Sequence, residues 1–340
     1  MKLKIWATIV AAVLATSCGG SGSNPTANAT PAGNPHSKLA TSPIARGYHH
    51  MHTTASGVLL FSGETAPPRG GGYLLGDMWV YQRSSGWTTR KGNGQKDGLT
   101  VYDADSSRLV IFVDSQAKFE AVSETWLYDP KTDQWQQRDL GKRPDSLGFS
   151  AQGAYDAKAR RIVVYGSNGE TWSYDVATNG WKNMQPAATP TARDYPAMEY
   201  DPESGRIISF GGGLSETGTD ETWAYDLAAN SWTNLNPATH PPARQHGTMV
   251  YDPVGRRFIL FGGETWQVKH PLGDTWAYDP KKNSWTNLSP TSSPSPRARQ
   301  AMAYDSEAGS IVMFGGGADP FHFLNDTWTY DPAKNTWTLE

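Results

Sequence analysis

Twelve of the fourteen tryptophans in this chain of 340 residues fall into six pairs. The pairs are Trp79/Trp87, Trp126/Trp135, Trp172/Trp181, Trp223/Trp232, Trp276/Trp285 and Trp328/Trp337. The members of a pair are eight or nine residues apart, and the first members follow one another at steps of 47, 46, 51, 53 and 52 residues. A near-constant period of this size indicates repeats of one supersecondary unit that stacks on its neighbours to bury its apolar surface.

Each repeat contains four strand patterns in the same order. A segment that ends in Tyr-Asp, such as Tyr251-Asp252, precedes a run of apolar residues such as 258–261. Four apolar residues in a row between turn signals predict a strand that is buried on both faces. The third strand carries Trp-x-Tyr, as in Trp276 and Tyr278, and the spacing of two places both rings on one face. The fourth strand begins at the second tryptophan.

One four-stranded antiparallel sheet of this kind cannot bury both of its faces alone. Six such sheets stacked radially, with tryptophans in the gaps, give every sheet two apolar neighbours. The sequence therefore predicts an all-β fold, a six-bladed β-propeller of four-stranded antiparallel blades. We expect blade 6 to pack on blade 1, without a C-terminal strand inserted into blade 1. The predicted blades cover residues of about 43–92, 93–141, 142–187, 188–238, 239–291 and 292–340.

A glycine doublet ends the second strand in three repeats, at Phe210-Gly211-Gly212, Phe261-Gly262-Gly263 and Phe314-Gly315-Gly316. With a Tyr and a Trp seven residues apart, as in Tyr278 and Trp285, the pattern resembles the kelch repeat over residues 43–340. Repeats 1 to 3 depart from it, with Ser62-Gly63, Val113-Asp114 and Gly166-Ser167 in place of the doublet. The resemblance implies a kelch propeller whose inter-blade loops and second-to-third-strand loops emerge on one face, around a channel mouth.

The chain is also similar to the central domain of galactose-oxidase-like copper enzymes, which use a tyrosine joined to a cysteine as a radical cofactor. Cys18 is the one cysteine of the chain, so that chemistry is excluded as those enzymes practise it. We expect no cofactor. Kelch-type sialate epimerases or mutarotases need only proton transfer beside a carboxylate-binding rim, and they stay open as an alternative.

The first residues have the pattern of a secretory signal peptide over 1–17. Lys2 and Lys4 precede a short apolar core, and small residues lead to Cys18. The end of this segment resembles the lipobox of bacterial lipoproteins, which implies lipidation of Cys18; the alternative is an ordinary signal peptide with Cys18 incidental. Residues 18–42 have almost nothing apolar to bury and predict a flexible tether. We expect an exported, lipid-anchored protein on the periplasmic side of an outer membrane or at the cell surface.

An arginine recurs before the first strand of four repeats, as Arg46, Arg193, Arg244 and Arg297. Four guanidinium groups around one rim suit a carboxylate ligand, because each offers paired donors. The alternative is a structural arginine that bonds loop carbonyls or the carboxylates that open the third strands, since repeated features mostly serve stacking. Those carboxylates are Glu124, Glu170, Glu221, Asp274 and Asp326.

Side chains that do not repeat are further candidates for ligand binding. They are Trp266, His270, Phe321 and His322 in the long loops after second strands, and His246 before the first strand of blade 5. An exposed aromatic ring near arginine suits a sugar ring or a peptide side chain. The alternative is a loop that folds back on its own hydrophobic residue.

Titratable side chains near the mouth give weaker signals. Glu64 and Glu264 follow the second strands of blades 1 and 5, and either could be a general acid or base if burial raised its pKa. Solvated loop glutamates are the commoner case. His50 and His52 would share one face of a strand and His49 the other, so only two could reach one metal ion, and we expect no metal site.

The formal net charge of -3 gives no general attraction to nucleic acid. A tethered rigid propeller with varied mouth loops favours a membrane-anchored extracytoplasmic binding protein that holds a carboxylate-bearing glycan or an acidic peptide. A mutarotase or epimerase acting on an acidic sugar is the first alternative, and a structural envelope scaffold is the second. We expect a monomer with a protein or glycan partner.

Overall fold

The computed structural model describes residues 41–65, 73–92, 97–114, 123–138, 144, 150–214, 217–265, 271–319 and 321–340. The predicted signal peptide, Cys18 and the tether up to residue 40 lie outside the described residues. The described residues form strands, turns and loops, and among them no helix is long and apolar enough to cross a membrane.

Six antiparallel sheets of four strands, here called blades, follow one another along the chain. Blade 1 contains β1 (His50–Thr54), β2 (Gly57–Phe61), β3 (Met78–Gln82) and β4 (Gly86–Arg90). Blade 2 contains β5 (Gly98–Asp103), β6 (Arg108–Asp114), β7 (Ser123–Asp129) and β8 (Gln134–Arg138). Blade 3 contains β9 (Gln152–Asp156), β10 (Arg161–Tyr165), β11 (Thr171–Asp175) and β12 (Gly180–Asn183).

Blades 4 and 6 each carry an additional short hairpin after the second strand. Blade 4 contains β13 (Ala197–Asp201), β14 (Arg206–Phe210), the hairpin β15 (Gly213–Leu214) and β16 (Thr217–Gly218), β17 (Thr222–Asp226) and β18 (Ser231–Asn234). Blade 5 contains β19 (Thr248–Asp252), β20 (Arg257–Phe261), β21 (Thr275–Asp279) and β22 (Ser284–Asn287). Blade 6 contains β23 (Ala301–Asp305), β24 (Ser310–Phe314), the hairpin β25 (Gly317–Asp319) and β26 (His322–Phe323), β27 (Thr327–Asp331) and β28 (Thr336–Leu339). The predicted all-β, six-bladed propeller is confirmed.

The second strand of each blade lies in the middle of its sheet, with a neighbouring blade on either side. Leu59 and Leu60 in β2 are both fully buried, yet they belong to different cores. Leu59 packs in the core shared by blades 1 and 2, whereas Leu60 packs in the core shared by blades 6 and 1. This arrangement explains why the second strands are continuous apolar runs.

The propeller closes by packing of blade 6 on blade 1. The first strands β1, β5, β9, β13, β19 and β23 contact one another in a ring that includes a contact of β1 with β23. All four strands of blade 1 come from consecutive segments between His50 and Arg90, so no C-terminal strand enters it. The expected mode of closure is therefore confirmed.

The second tryptophan of each pair lies between blades, on the aromatic ring that ends the second strand of the preceding blade. The ring centroids of Trp285 and Phe210 are 4.8 Å apart, and those of Trp87 and Phe314, across the closure, are 5.3 Å apart. The indole N–H of Trp285 also donates to Thr222 Oγ1 of the preceding blade at 3.0 Å. Ring packing by these tryptophans therefore holds neighbouring blades together, and the indoles of Trp87, Trp232, Trp285 and Trp337 add a hydrogen bond to a threonine of the preceding blade.

The glycine doublets allow the loop of the next blade to approach the end of the second strand. Gly211 has a φ of 72°, and a Cβ atom there would lie 2.5 Å from the carbonyl oxygen of Arg244. The next glycine, Gly212, donates its N–H to the same oxygen at 2.8 Å. Only a residue without a side chain permits both the left-handed backbone and this close contact.

Replacing Gly211 with alanine is expected to cost about 2–4 kcal/mol, because left-handed strain adds to a clash with a backbone oxygen that cannot move away. Gly86 is a matched control, since its φ is 70° and nothing lies within 4 Å of a Cβ atom there. Gly86→Ala should cost only about 1 kcal/mol, the strain alone. Urea unfolding of both variants measures the difference, and equal losses would contradict the close-approach argument.

Candidate functional site

Loops between blades and loops between second and third strands meet on one face of the propeller, here called the loop face. Isolated backbone bridges pair residues of the two kinds of loop, such as Gln245 with Glu264 and Asp194 with Gly213. The expected shared face for both sets of loops is therefore present.

The recurring arginines lie inside the protein and not on the rim. Arg244 is 1% exposed, and its Nη1 and Nη2 donate to the two carboxylate oxygens of Asp274 at 2.6 and 2.8 Å. Nη1 also donates to the carbonyl oxygen of Gly262 at 2.9 Å, and Nε to that of Pro242 at 3.0 Å. The indole N–H of Trp276 donates to Asp274 as well, at 2.7 Å. Four of the five N–H groups of this guanidinium are thus engaged within the blade.

The same internal arrangement occurs at the other three arginines. Each is at most 2% exposed, and the pairs are Arg46 with Asp77, Arg193 with Glu221, and Arg297 with Asp326. Burial alone would raise the pKa of Asp274, yet the hydrogen bonds and charge of Arg244 lower it below its ordinary value. The structure thus places these arginines in the structural arrangement that was the alternative, and they do not form a carboxylate-binding rim.

The functional candidates lie two residues further along, at the start of the first strands. Tyr48, Tyr195, His246 and Arg299, here called the mouth cluster, occupy this position in blades 1, 4, 5 and 6. All four have left-handed backbones, with φ of 57°, 49°, 56° and 63°. Such a φ disfavours bulky side chains by roughly 1 kcal/mol or more each. The backbone conformation at this position therefore gives no reason for a tyrosine, histidine or arginine side chain to be there.

The backbones of the mouth cluster link successive blades. The N–H of His246 donates to the carbonyl oxygen of Tyr195 at 3.3 Å, and that of Arg299 to His246 at 3.3 Å. The N–H of Tyr48 then donates to Arg299 at 3.1 Å, which joins blade 1 to blade 6. Tyr195 donates in the same way to Ser150 of blade 3. The four residues therefore have a fixed position at the end of the channel.

Their side chains pack together over that end. The ring centroids of Tyr195 and His246 are 4.0 Å apart, and the ring of Tyr48 meets His246 edge-on at 5.5 Å. Arg299 lies over the ring of Tyr48, with Cζ 5.4 Å from the ring centroid, and its Nε donates to the Tyr48 hydroxyl at 2.5 Å. The ring of Phe323 also packs edge-on against the ring of Tyr48, and the two ring centroids are 6.2 Å apart.

Glu264 joins the two polar members of the cluster. Its Oε1 accepts a hydrogen bond from Arg299 Nη2 and lies 3.1 Å from His246 Nδ1. A carboxylate only accepts, so Nδ1 carries the imidazole proton and Nε2 has a free lone pair. Burial lowers the pKa of His246 despite the hydrogen bond to Glu264, which keeps the ring neutral at pH 7.

The two candidate glutamates have opposite pKa shifts. Burial would raise the pKa of Glu264, but the hydrogen bond from His246 and the charge of Arg299 lower it. Burial raises the pKa of Glu64, and the nearby charge of Asp97 raises it further. Of the two, only Glu64 has the raised pKa that acid catalysis at a mouth would require.

Two buried atoms of the mouth cluster lack a hydrogen-bond partner among the described residues. They are His246 Nε2 and Arg299 Nη1, on side chains that are only 8% and 7% exposed. A buried polar atom without a partner costs about 1–3 kcal/mol, a cost that a ligand group with hydrogen bonds to both atoms would offset. The cluster thus offers one acceptor and one donor that the fold itself does not use.

Of the remaining predicted residues, Phe321 and His322 lie on the loop face. Phe321 is 61% exposed at the tip of the β25–β26 hairpin, and the exposed His322 beside it donates from Nδ1 to the carboxylate of Asp319. Trp266 and His270 lie outside the described residues. His322 and Phe321 are accessible to a partner, but neither belongs to the mouth cluster.

The three histidines of blade 1 are arranged as expected. His50 and His52 share a face, with nearly parallel rings 6.5 Å apart, whereas His49 packs edge-on against Phe314 of blade 6. Within the part of the chain that the structure describes, no group of three or more His, Cys, Asp or Glu side chains could hold a metal ion.

Sequence reasoning named His246 but missed Tyr48, Tyr195 and Arg299. The available signal was the repeat alignment itself. Two residues after the recurring arginine, the four blades carry Tyr, Tyr, His and Arg, which share no structural preference. A position that the repeat places at the same point of every blade, but that carries side chains of different chemistry, is a better indicator of a binding role. The recurring arginine is the same residue in four blades, which indicates a structural role.

Residues 165–339, about half of the chain, match the family model described as the KLHDC2/KLHL20/DRC7 Kelch-repeats domain. Multiple epidermal growth factor-like domains protein 8 of Mus musculus is 23% identical over 323 residues, covering 89% of this chain and 10% of that protein. A putative F-box/kelch-repeat protein of Arabidopsis thaliana is 27% identical over 135 residues, 37% of each chain. Dynein regulatory complex subunit 7 of Chlamydomonas reinhardtii is 32% identical over 118 residues, 33% of this chain and 10% of that protein. The chain spans between about a tenth and about a third of the length of these relatives.

Proposed function

Because the chain belongs to the kelch-repeat family of β-propellers, whose members in general hold protein partners, we propose that it binds a protein on its loop face, over the mouth cluster. The observation that carries the proposal is the pair of buried, unpartnered atoms, His246 Nε2 and Arg299 Nη1. We further propose that the chain is exported and anchored through Cys18, on the periplasmic side of an outer membrane or at the cell surface. The tether would then hold the propeller away from the lipid.

The chemistry of the cluster favours a partner group that both donates and accepts. A hydroxyl or a primary amide can donate to His246 Nε2 and accept from Arg299 Nη1. A carboxylate could accept from Arg299 but would leave Nε2 unpaired, and it would meet the charges of Glu64 and Glu264. With the four recurring arginines engaged inside the blades, an acidic peptide or a carboxylate-bearing glycan is therefore the less favoured ligand.

Aromatic side chains around the mouth support a protein partner. Tyr73 and Phe321 are 72% and 61% exposed, and they lie in the second-to-third-strand loops of the adjoining blades 1 and 6. Exposed aromatic rings are enriched in protein interfaces, because they bury a large area at small entropic cost.

A photo-reactive amino acid at position 321 or 254 tests which face is used. Val254 is the matched control, since it is 77% exposed in the turn between β19 and β20, at the opposite end of the first strands. In cells of the host, position 321 is expected to give a discrete adduct that Arg299→Gln weakens, and position 254 to give none. Equal adducts from both positions, or one from position 254 alone, would contradict docking on the loop face.

The anchor has its own test. Cys18→Ser should move the chain from the membrane fraction to the soluble exported fraction and abolish incorporation of labelled fatty acid. A variant that stays with the membrane would show that Cys18 is incidental.

The pairing of Glu264 with His246 favours proton transfer as a second candidate function. A carboxylate that fixes the imidazole tautomer and leaves Nε2 free has the arrangement of a general base, and Arg299 could stabilise a developing negative charge. Anomer exchange of sialic and uronic acids, followed by NMR, tests this function. Acceleration that is lost in Glu264→Gln and retained in Glu203→Gln would support it, and no acceleration would leave the binding function alone.

A further inference from the structure

The first strands of the six blades enclose a cavity of about 500 Å³ along the propeller axis. The mouth cluster lies at one end of its wall. At the other end lie the tyrosines of the Tyr-Asp motifs, one from each of blades 2 to 6: Tyr102, Tyr155, Tyr200, Tyr251 and Tyr304. A cavity of this size is typical of sites for small molecules.

One carboxyl group in the cavity wall is not explained by the repeat. Glu199, in β13, precedes the tyrosine of its Tyr-Asp motif. The same position in the other five first strands holds His52, Val101, Ala154, Val250 and Ala303. A scaffold that accepts alanine or valine at this position does not need a carboxyl group there, so the fold leaves Glu199 without a structural reason.

Glu199 also has no cationic partner among the described residues. Its one hydrogen bond comes from the adjacent backbone N–H of Tyr200, at 3.0 Å from Oε1. By contrast, four partly buried carboxylates at the start of third strands each have a guanidinium beside them, as Asp274 has Arg244. Burial raises the pKa of Glu199 to about 7, which is the consequence of a carboxylate held in a cavity without a counter-ion.

The other charges in the described wall do not compensate for Glu199. Asp97 is a second carboxylate, and Arg299 is already bound by Glu264 outside the wall. Burial lowers the pKa of His50, and that of His52 to about 3, so both rings are neutral at pH 7. The described wall therefore carries a net negative charge at neutral pH.

We propose that this cavity binds an organic cation, a primary ammonium or a guanidinium group, through an ion pair with Glu199. The cation enters past the tyrosines, whose ring faces attract positive charge. Two small side chains at the adjoining turns, Ala104 and Ala157, line this end of the cavity. Glu199 lies next to Tyr200, at the end of the cavity opposite the mouth cluster, so this site does not depend on the proposed protein-binding function.

Agmatine, which carries both groups, is the probe, with butylamine and methylguanidine to separate them and glutarate as the anionic control. Ligand-observed NMR and calorimetry at pH 8 should show binding of agmatine and none of glutarate. Glu199→Gln should raise the Kd roughly 10-fold or more, because it removes the charged partner and keeps the shape. Tyr251→Leu should raise it by roughly 2- to 10-fold, since it removes one ring face.

Glu203→Gln is the matched control. Glu203 follows Glu199 by four residues but pairs with Arg256 and Lys281 at the surface, and its replacement should leave agmatine binding unchanged. Unaltered affinity in a folded Glu199→Gln variant would overturn the proposal, and so would the absence of agmatine binding at 10 mM. If the cavity instead binds a lysine or arginine side chain of a partner protein, a basic peptide should bind and should not be displaced by agmatine. That result would contradict a site for a free organic cation.

Discussion

Arg244→Ala is expected to destabilise the propeller by about 3–5 kcal/mol, the usual cost of breaking a buried ion pair from one side. The substitution leaves the Asp274 carboxylate without its counter-ion and the carbonyl oxygens of Gly262 and Pro242 without their donor. Urea or thermal unfolding of the purified propeller measures the loss.

Arg256→Ala is the control for this experiment. Arg256 also pairs with a carboxylate, Glu203, but its side chain is 65% exposed, so solvent screens the pair. Its removal should change the free energy of unfolding by about 0–1 kcal/mol. If Arg244→Ala were as mild as Arg256→Ala and instead abolished binding of an acidic ligand, the internal role of the recurring arginines would be refuted.

Glu199→Gln is expected to stabilise the propeller at pH 8 by about 3 kcal/mol and to leave it unchanged near pH 4. Burial raises the pKa of Glu199 from 4.5 to about 7, so the folded chain binds this proton more tightly than the unfolded chain. The wild-type protein therefore loses stability from this group as the pH rises through 4.5 to 7. Glutamine carries no charge at any pH and avoids that loss.

Unfolding free energies of both proteins at pH 4, 6 and 8 give the test, with the difference between them isolating Glu199 from all other titrating groups. The gain should appear between pH 4.5 and 7 and stay constant above. Glu203→Gln should give no gain at pH 8, because salt bridges lower the pKa of Glu203 and favour its charged form. A Glu199→Gln variant that is less stable than wild type at pH 8 would show that the carboxylate has a counter-ion.

The fold could be predicted from the sequence because it depends on local patterns that repeat. The tryptophan period gave the number of blades, and runs such as 258–261 identified the strands buried on both faces. The packing of Trp285 on Phe210 follows from the same regularity, since every blade must fill the same gap. Closure could also be predicted, because the first and last repeats each contain four strands of their own.

The site was less accessible to such reasoning, for reasons of geometry. Arg244 contacts Asp274 because the loop between the second and third strands brings this carboxylate back to its own blade. No local sequence pattern predicts that path of the loop. The left-handed backbone of His246 and Arg299 is likewise invisible in the sequence. Glu199 could have been found in the sequence, because most other first strands carry alanine or valine at the same position. Sequence reasoning looked for functional residues mainly in loops and therefore missed it.

The backbone link from Tyr48 to Arg299 repeats, at the junction of blades 6 and 1, the links from Arg299 to His246 and from His246 to Tyr195. The indole N–H of Trp87 in blade 1 donates to Thr327 of blade 6, as that of Trp285 in blade 5 donates to Thr222 of blade 4. Blades 6 and 1 therefore meet through these contacts without a peptide connection such as 236–243 or 289–296. A circularly permuted chain, joined across this junction and opened within 289–296, should therefore keep the six blades in the same cyclic order around the ring.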